Sequence, residues 1–207
     1  MSMKKISIRL LFVLAVFFVF YLAFYQLGKS PLENWGEAWY ADVTRQMLES
    51  KEFFVLYWNN ALWLDKPPFY MWLSALVSSV IGLSEFSVRV PSAISGVIVI
   101  MLVTCFSYKH YGFAPAVLAY ITLALNNLFV WRMRSGNIDT LTSLLLFLVF
   151  FITVSKYKYK YPLLGVLFAA IFLTRASFVL FPLSIFILHE LLYERKHLFK
   201  RYKEYIK

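Results

Sequence analysis

Apolar runs recur along this chain too often, and at too great a length, for one water-soluble core to absorb them, and this limits its fold more than any other feature. They fall at about residues 6–27, 88–108, 113–131, 141–155, 162–174 and 178–192, separated by Gly112, Gly136, a basic tract at 156–161 and Arg175. With 61% hydrophobic, 20% aromatic and only 15% charged residues in 207, the chain is expected to be an all-α integral membrane protein with about six transmembrane helices. The first run follows a basic start and has no small-residue cleavage site before Lys29, so it reads as a retained anchor rather than a removed signal peptide. The fourth and fifth runs are short, which predicts little tilt.

The net charge of +10 would suit a nucleic-acid binder if it were spread over one face. Its distribution excludes that partner. The basic residues cluster beside apolar runs, at Lys4, Lys5 and Arg9, at Lys109, at Lys156, Lys158 and Lys160, and through residues 195–207. Six crossings from a cytoplasmic amino terminus put all of these inside, with the carboxyl terminus also cytoplasmic. The inner side then carries the whole net charge and the outer side none, as the positive-inside rule requires of a protein of the plasma or inner membrane. The single cysteine, Cys105, lies within an apolar run and reads as packing, and the three histidines show no metal-ligand spacing. No cofactor is required. Carboxylates could hold a divalent metal, but no spacing demands one.

One transmembrane domain is therefore expected over 1–207. It comprises a first span at 6–27, an outer loop at 28–86, the remaining spans at 88–194 and a basic cytoplasmic tail at 195–207. Within the loop, Ser30-Pro31-Leu32-Glu33 has the form of a capping box and predicts a helix start. Trp35, Trp39, Val43 and Met47 recur every four residues, so that helix would lay an apolar stripe on the membrane. Pro67 and Pro68 then end the polar segment, and residues 69–83 are apolar but short, predicting an interfacial or re-entrant helix.

Acidic residues on the outer side gather in two places, the first loop and the turn at 132–140. A transfer from a lipid-linked phosphate would need fixed cations at headgroup level, for which Lys66, Arg134 and Arg175 are candidates. It would also need a carboxylate to take a proton from the incoming hydroxyl, and the nearby sources are Glu37, Asp42, Asp65 and Asp139. Asp139 alone would ordinarily be a solvated helix cap, and Lys66 beside two prolines is as well explained by snorkelling as by phosphate binding. Glu37 alone would equally serve the positive end of its helix.

Several motifs in order carry a resemblance. Trp35-Gly36-Glu37-Ala38-Trp39-Tyr40-Ala41, Met47-Leu48-Glu49-Ser50, Asp65-Lys66-Pro67-Pro68-Phe69-Tyr70 and Ser87-Arg89-Pro91-Ser92 resemble the amino-terminal half of the polyprenyl-phosphate-sugar-dependent glycosyltransferases. This is the membrane superfamily of the protein O-mannosyltransferases and lipid A aminoarabinose transferases. Gly136-Asn137-Ile138-Asp139 resembles its second acidic loop, and Leu173-Thr174-Arg175 its Thr-Lys-Gly turn. The resemblance implies a glycosyltransferase-C architecture and an inverting transfer of a sugar from a polyprenyl phosphate to a hydroxyl acceptor outside the membrane. Lys66, Arg175, Arg134 and Tyr40 become phosphate- or donor-binding candidates, Glu37 and Asp139 catalytic ones, and Asp42 and Asp65 secondary ones. The family usually has Asp-Glu where this chain has Gly36-Glu37, so Glu37 is expected to take the carboxylate role. Members of the superfamily generally carry more spans, so the expectation is that this is either a truncated gene product or an incomplete sequence. The alternative function is a non-catalytic lipid-binding or assembly relative. A transporter fits less well, because few ionisable residues lie at mid-span depth.

Overall fold

The computed structural model describes residues 3–155 and 157–193, with side chains from Leu10 onward. Its elements in order are helices α1 (Met3–Phe24) and α2 (Glu37–Ser50), strands β1 (Tyr57–Trp58) and β2 (Ala61–Leu62), then α3 (Phe69–Ile81), α4 (Glu85–Tyr111), α5 (Phe113–Ala124), α6 (Asn127–Arg134), α7 (Asp139–Thr153), α8 (Lys160–Thr174), a 3-10 turn (Ala176–Val179) and α9 (Leu180–Tyr193). The expected all-α membrane fold is present, its sheet content being one two-stranded hairpin among the described residues. By length and composition two segments can cross a membrane, Glu85–Tyr111 and Ala176–Tyr193, or three if α5 and α6 form one bent span. Four further apolar helices are shorter, Leu10–Phe24, Phe69–Ile81, Asp139–Thr153 and Lys160–Thr174.

The chain forms two compact units, divided at Leu144 and Leu145. In the first, α4 is the central element and packs against α1, α3, α5 and α6. Val19, Ala23 and Leu27 meet Ala93, Val97, Ile100 and Met133 in its core. Gly96 permits that approach, because a Cβ there would overlap the side chain of Met133. Tyr120 donates to the carbonyl of Ala15 at 2.8 Å, tying α5 to α1. Arg134 closes the end of α1 by donating to the carbonyls of Leu22 and Tyr25, two groups that the helix end leaves unpaired.

Small hydroxyl residues join α3 to α4. Ser78 donates to Ser87 at 2.9 Å, and the Tyr70 hydroxyl donates to the carbonyl of Val88 at 2.8 Å. Pro91 lacks the N–H that would reach the Ser87 carbonyl and so removes one helical hydrogen bond from this part of α4. In the second unit Lys160 at the start of α8 pairs with Glu190 near the end of α9 at 2.7 Å, and Tyr161 donates to the other Glu190 oxygen at 3.0 Å. Both ends of that pair are buried, which locks the register of the two helices.

Four sequence expectations require correction. The capping box at Ser30–Glu33 does not start α2, because Arg89 takes the Ser30 carbonyl and hydroxyl, and the positive φ of Trp35 (66°) and Gly36 (61°) breaks the chain before Glu37. The stripe on α2 does not lie on lipid throughout, since Val43 and Met47 are buried in a helix packed against α3, the hairpin and α4. The run at 113–131 is two helices bent by 61°, with Asn126 capping the second through its contact with the Phe129 N–H at 2.8 Å. Cys105 is exposed on α4 rather than packed. The tail at 195–207 lies outside the described residues.

Candidate active site

Glu37, the first residue of α2, is the centre of a buried polar cluster. Its carboxylate receives four donors: Arg89 Nε (2.7 Å) and the backbone N–H of Gly136 on Oε1, and Arg89 Nη2 (2.9 Å) and the backbone N–H of Glu33 (2.7 Å) on Oε2. Both side chains of the pair are buried, Glu37 being 3% exposed. Burial works to raise the Glu37 pKa, but the Arg89 guanidinium and the two backbone N–H groups outweigh it and hold the carboxyl below its ordinary value. Arg89 spends its remaining hydrogens on the carbonyls of Leu27 (2.7 Å), Ser30 (2.9 Å) and Pro31 (2.9 Å). One arginine on α4 therefore fixes the whole entry of the first loop.

The second acidic turn docks on the same cluster. Gly136 is required for this approach, because a Cβ there would lie 2.9 Å from Val88 Cγ1 and 3.2 Å from Glu37 Cγ. Ser92 Oγ donates to the Asn137 carbonyl at 2.6 Å, and Thr140 Oγ1 donates to the Ser92 carbonyl at 3.2 Å, so α4 holds the turn from below. Trp131 Nε1 donates to Glu33 at 2.8 Å and closes the arrangement from α6. Asp139 opens α7 beside it, half-buried, with Arg132 Nη1 at 3.4 Å.

Lys66 sits on the segment before α3 with its ammonium 3.0 Å from Asp65 Oδ2. That segment is anchored on both sides by Tyr40 of α2, whose buried ring lies 6.1 Å from Trp63 and 5.7 Å from Tyr70. Tyr40 thus presents its ring to protein. Asp42 is saturated in a similar way to Glu37: Oδ1 accepts from Arg45 (2.7 Å), and Oδ2 accepts from Gln46 (2.7 Å) and from the Asn59 N–H (2.9 Å). Burial raises and these donors lower its pKa, with the lowering dominant. Arg134 is committed to the α1 carbonyls, and Arg175 lies in the second unit, its guanidinium 5.1 Å from the Phe178 ring. Gly36 holds a positive φ of 61°, and a Cβ there would meet nothing within 4 Å, so open space lies where the resembled family places its aspartate.

The structure therefore brings together Glu37 and the turn that carries Asp139. Two clefts in this unit are lined by other residues: one by Gln46, Glu49, Ser50, Tyr57 and Asn60, the other chiefly by Leu32, Asp42, Arg45, Glu85 and Val88. Among the described residues, no three His, Cys, Asp or Glu side chains are grouped to hold a metal ion. Arg89 is the site residue that site reasoning from sequence missed. Its signal was present, since an arginine inside an apolar run needs a buried partner.

The sequence profile of the dolichyl-phosphate-mannose-protein mannosyltransferase family matches residues 65–206. The chain belongs to this family. Among its relatives is an uncharacterized Aquifex aeolicus (strain VF5) protein, 30% identical over 190 residues that cover 90% of this chain and 43% of that protein. An undecaprenyl phosphate-alpha-4-amino-4-deoxy-L-arabinose arabinosyl transferase of Shewanella sediminis (strain HAW-EB3) is 32% identical over 93 residues, covering 45% of this chain and 17% of that one. The crystal structure of ArnT from Cupriavidus metallidurans bound to undecaprenyl phosphate superposes with a TM-score of 0.76 at 18% identity, over 91% of this chain and 37% of that one. This mannosyltransferase-family chain thus has the fold of the amino-terminal part of a glycosyltransferase-C membrane protein. It spans less than half the length of these relatives. It is a multi-pass membrane protein of a transferase family.

Proposed function

We propose that the chain forms the catalytic end of a polyprenyl-phosphate-sugar-dependent glycosyltransferase that acts on the outer face of the plasma or inner membrane. The observation that carries this reading is the docking of the Gly136–Asp139 turn on Glu37, which unites two acidic loops about a hundred residues apart in one place. In the proposed step the acceptor hydroxyl attacks the anomeric carbon opposite the phosphate. The new C–O bond forms as the sugar–phosphate bond breaks, the configuration inverts, the proton passes to a carboxylate, and polyprenyl phosphate leaves.

Asp139 is the carboxylate assigned to the proton, because it is half-exposed at the mouth of the turn. Glu37 is assigned to positioning. With four donors on its two oxygens and a lowered pKa it is a poor proton acceptor, but it holds α2, α4 and the second turn in register. Lys66, oriented by Asp65, is assigned to the phosphate. A divalent metal is not needed for this assignment. The test is turnover of radiolabelled lipid-phosphate sugars by membranes containing the complete gene product. Replacement of Lys66 by alanine should reduce transfer at least a hundredfold while the protein still inserts, and normal transfer would remove the role.

Gly36 supports a second reading, a lipid-binding relative without transfer, because it leaves no carboxylate in the open space at its position. Such a protein would bind undecaprenyl phosphate and transfer no sugar in the same assay.

A further inference from the structure

We propose that the groove between the last turns of α2 and the β1–β2 hairpin binds the rings of a neutral glycan, at a place separate from the transfer site proposed above. The groove holds about 400 Å³ and is lined by Gln46, Glu49, Ser50, Tyr57 and Asn60. That volume lies in the range of small-molecule sites, ~300–1,000 Å³.

The chemistry of this lining selects the ligand. Its one carboxylate, Glu49, is already paired with Arg45, and it holds no cation to attract a phosphate, so it does not suit the donor's head. The Gln46 amide and the Ser50 hydroxyl donate to Asp42 and to the Gln46 carbonyl, so the lining offers the Asn60 amide together with the remaining lone pairs of Gln46, Glu49 and Ser50, a set that suits the hydroxyls of a sugar. Tyr57 adds an aromatic surface that is 37% exposed, and the apolar C–H face of a sugar ring packs on the negative face of such a ring.

The site is also built rather than incidental. Asn59 and Asn60 both have positive φ, 49° and 61°, which closes the two-residue hairpin turn. The Asn59 N–H donates to Asp42 and the Asn60 N–H to Gln46 Oε1 at 3.3 Å, so α2 fixes the turn by its backbone. Glu49 is held by two contacts with Arg45, at 3.0 and 2.8 Å, and Gln46 donates to Asp42. Polar groups fixed before binding lose less entropy on meeting a ligand. The Asn60 side-chain amide makes no hydrogen bond among the described residues and remains available.

The test uses the full-length protein in lipid nanodiscs and saturation-transfer NMR with mannotetraose, maltotetraose and chitotetraose. At least one tetrasaccharide should bind, and Tyr57→Ala and Asn60→Gly should each weaken it at least fivefold. Glycine at 60 keeps the left-handed turn, so that variant removes the amide without disturbing the hairpin, and circular dichroism checks both variants. Undecaprenyl phosphate binding, measured in parallel, should be unchanged. Absence of binding by all three sugars, or unaltered binding in either variant, would overturn the proposal. Loss of lipid binding by the unaltered protein would instead contradict the transferase reading, since the sugar measurement uses no donor.

Discussion

Arg89 and Glu37 form a buried ion pair that ties α4 to the start of α2. Removing one partner of a buried ion pair leaves the other charge uncompensated, at a cost of about 3–5 kcal/mol. Arg89→Ala should therefore lower stability by that order, measured by thermal or denaturant unfolding in detergent, and Arg89→Lys should fail to restore it because an ammonium cannot bridge two carboxylate oxygens and three carbonyls at once. The same carboxylate sets a pH dependence. Because the folded pKa of Glu37 is lowered, its contribution is complete above the ordinary value near 4.5 and is lost as pH falls below it toward the native value. Stability of the unaltered protein should drop in that window, and Glu37→Gln should show a smaller drop superimposed on a lower plateau. Glu37 was legible in the sequence as a candidate. Its surroundings were not, because two of the three residues that saturate it, Arg89 and Gly136, are 52 and 99 positions away, and long-range partners leave no local pattern.

At the level of elements, periodicity and hydropathy located the apolar helices well, since the lengths of α3, α4, α7 and α8 follow directly from runs bounded by proline, glycine and charge. What hydropathy could not resolve was direction within a run. The segment at 113–131 is apolar enough to read as one span, yet Asn126 caps a new helix inside it and the axis turns by 61°. Asn126→Ala should cost about 1 kcal/mol, read as a lower unfolding midpoint, because the Phe129 N–H would lose its acceptor. The hairpin escaped for a different reason. Its strands are two residues each, and it is held by Asp42 and Gln46 on a helix rather than by its own alternation. Likewise, the real capping box belongs to Ser84 and Ser87 at the start of α4, where two serines replace the expected serine and glutamate.

For the whole molecule, the orientation we propose from the charge asymmetry, with the first loop outside and the link between α4 and α5 in the cytoplasm, has a direct test. In a Cys105→Ser background, Leu64→Cys should react with a membrane-impermeant maleimide on intact cells, and Tyr111→Cys should react only after permeabilisation; both positions are well exposed. The reverse pattern would invert the topology. The central claim is that the first loop, clamped by Arg89, presents Lys66 to an anionic lipid head. Binding of undecaprenyl phosphate to the full-length protein in nanodiscs tests it most directly: Lys66→Ala should raise Kd about tenfold, the loss of one charge-assisted contact, whereas an unchanged Kd would contradict the account.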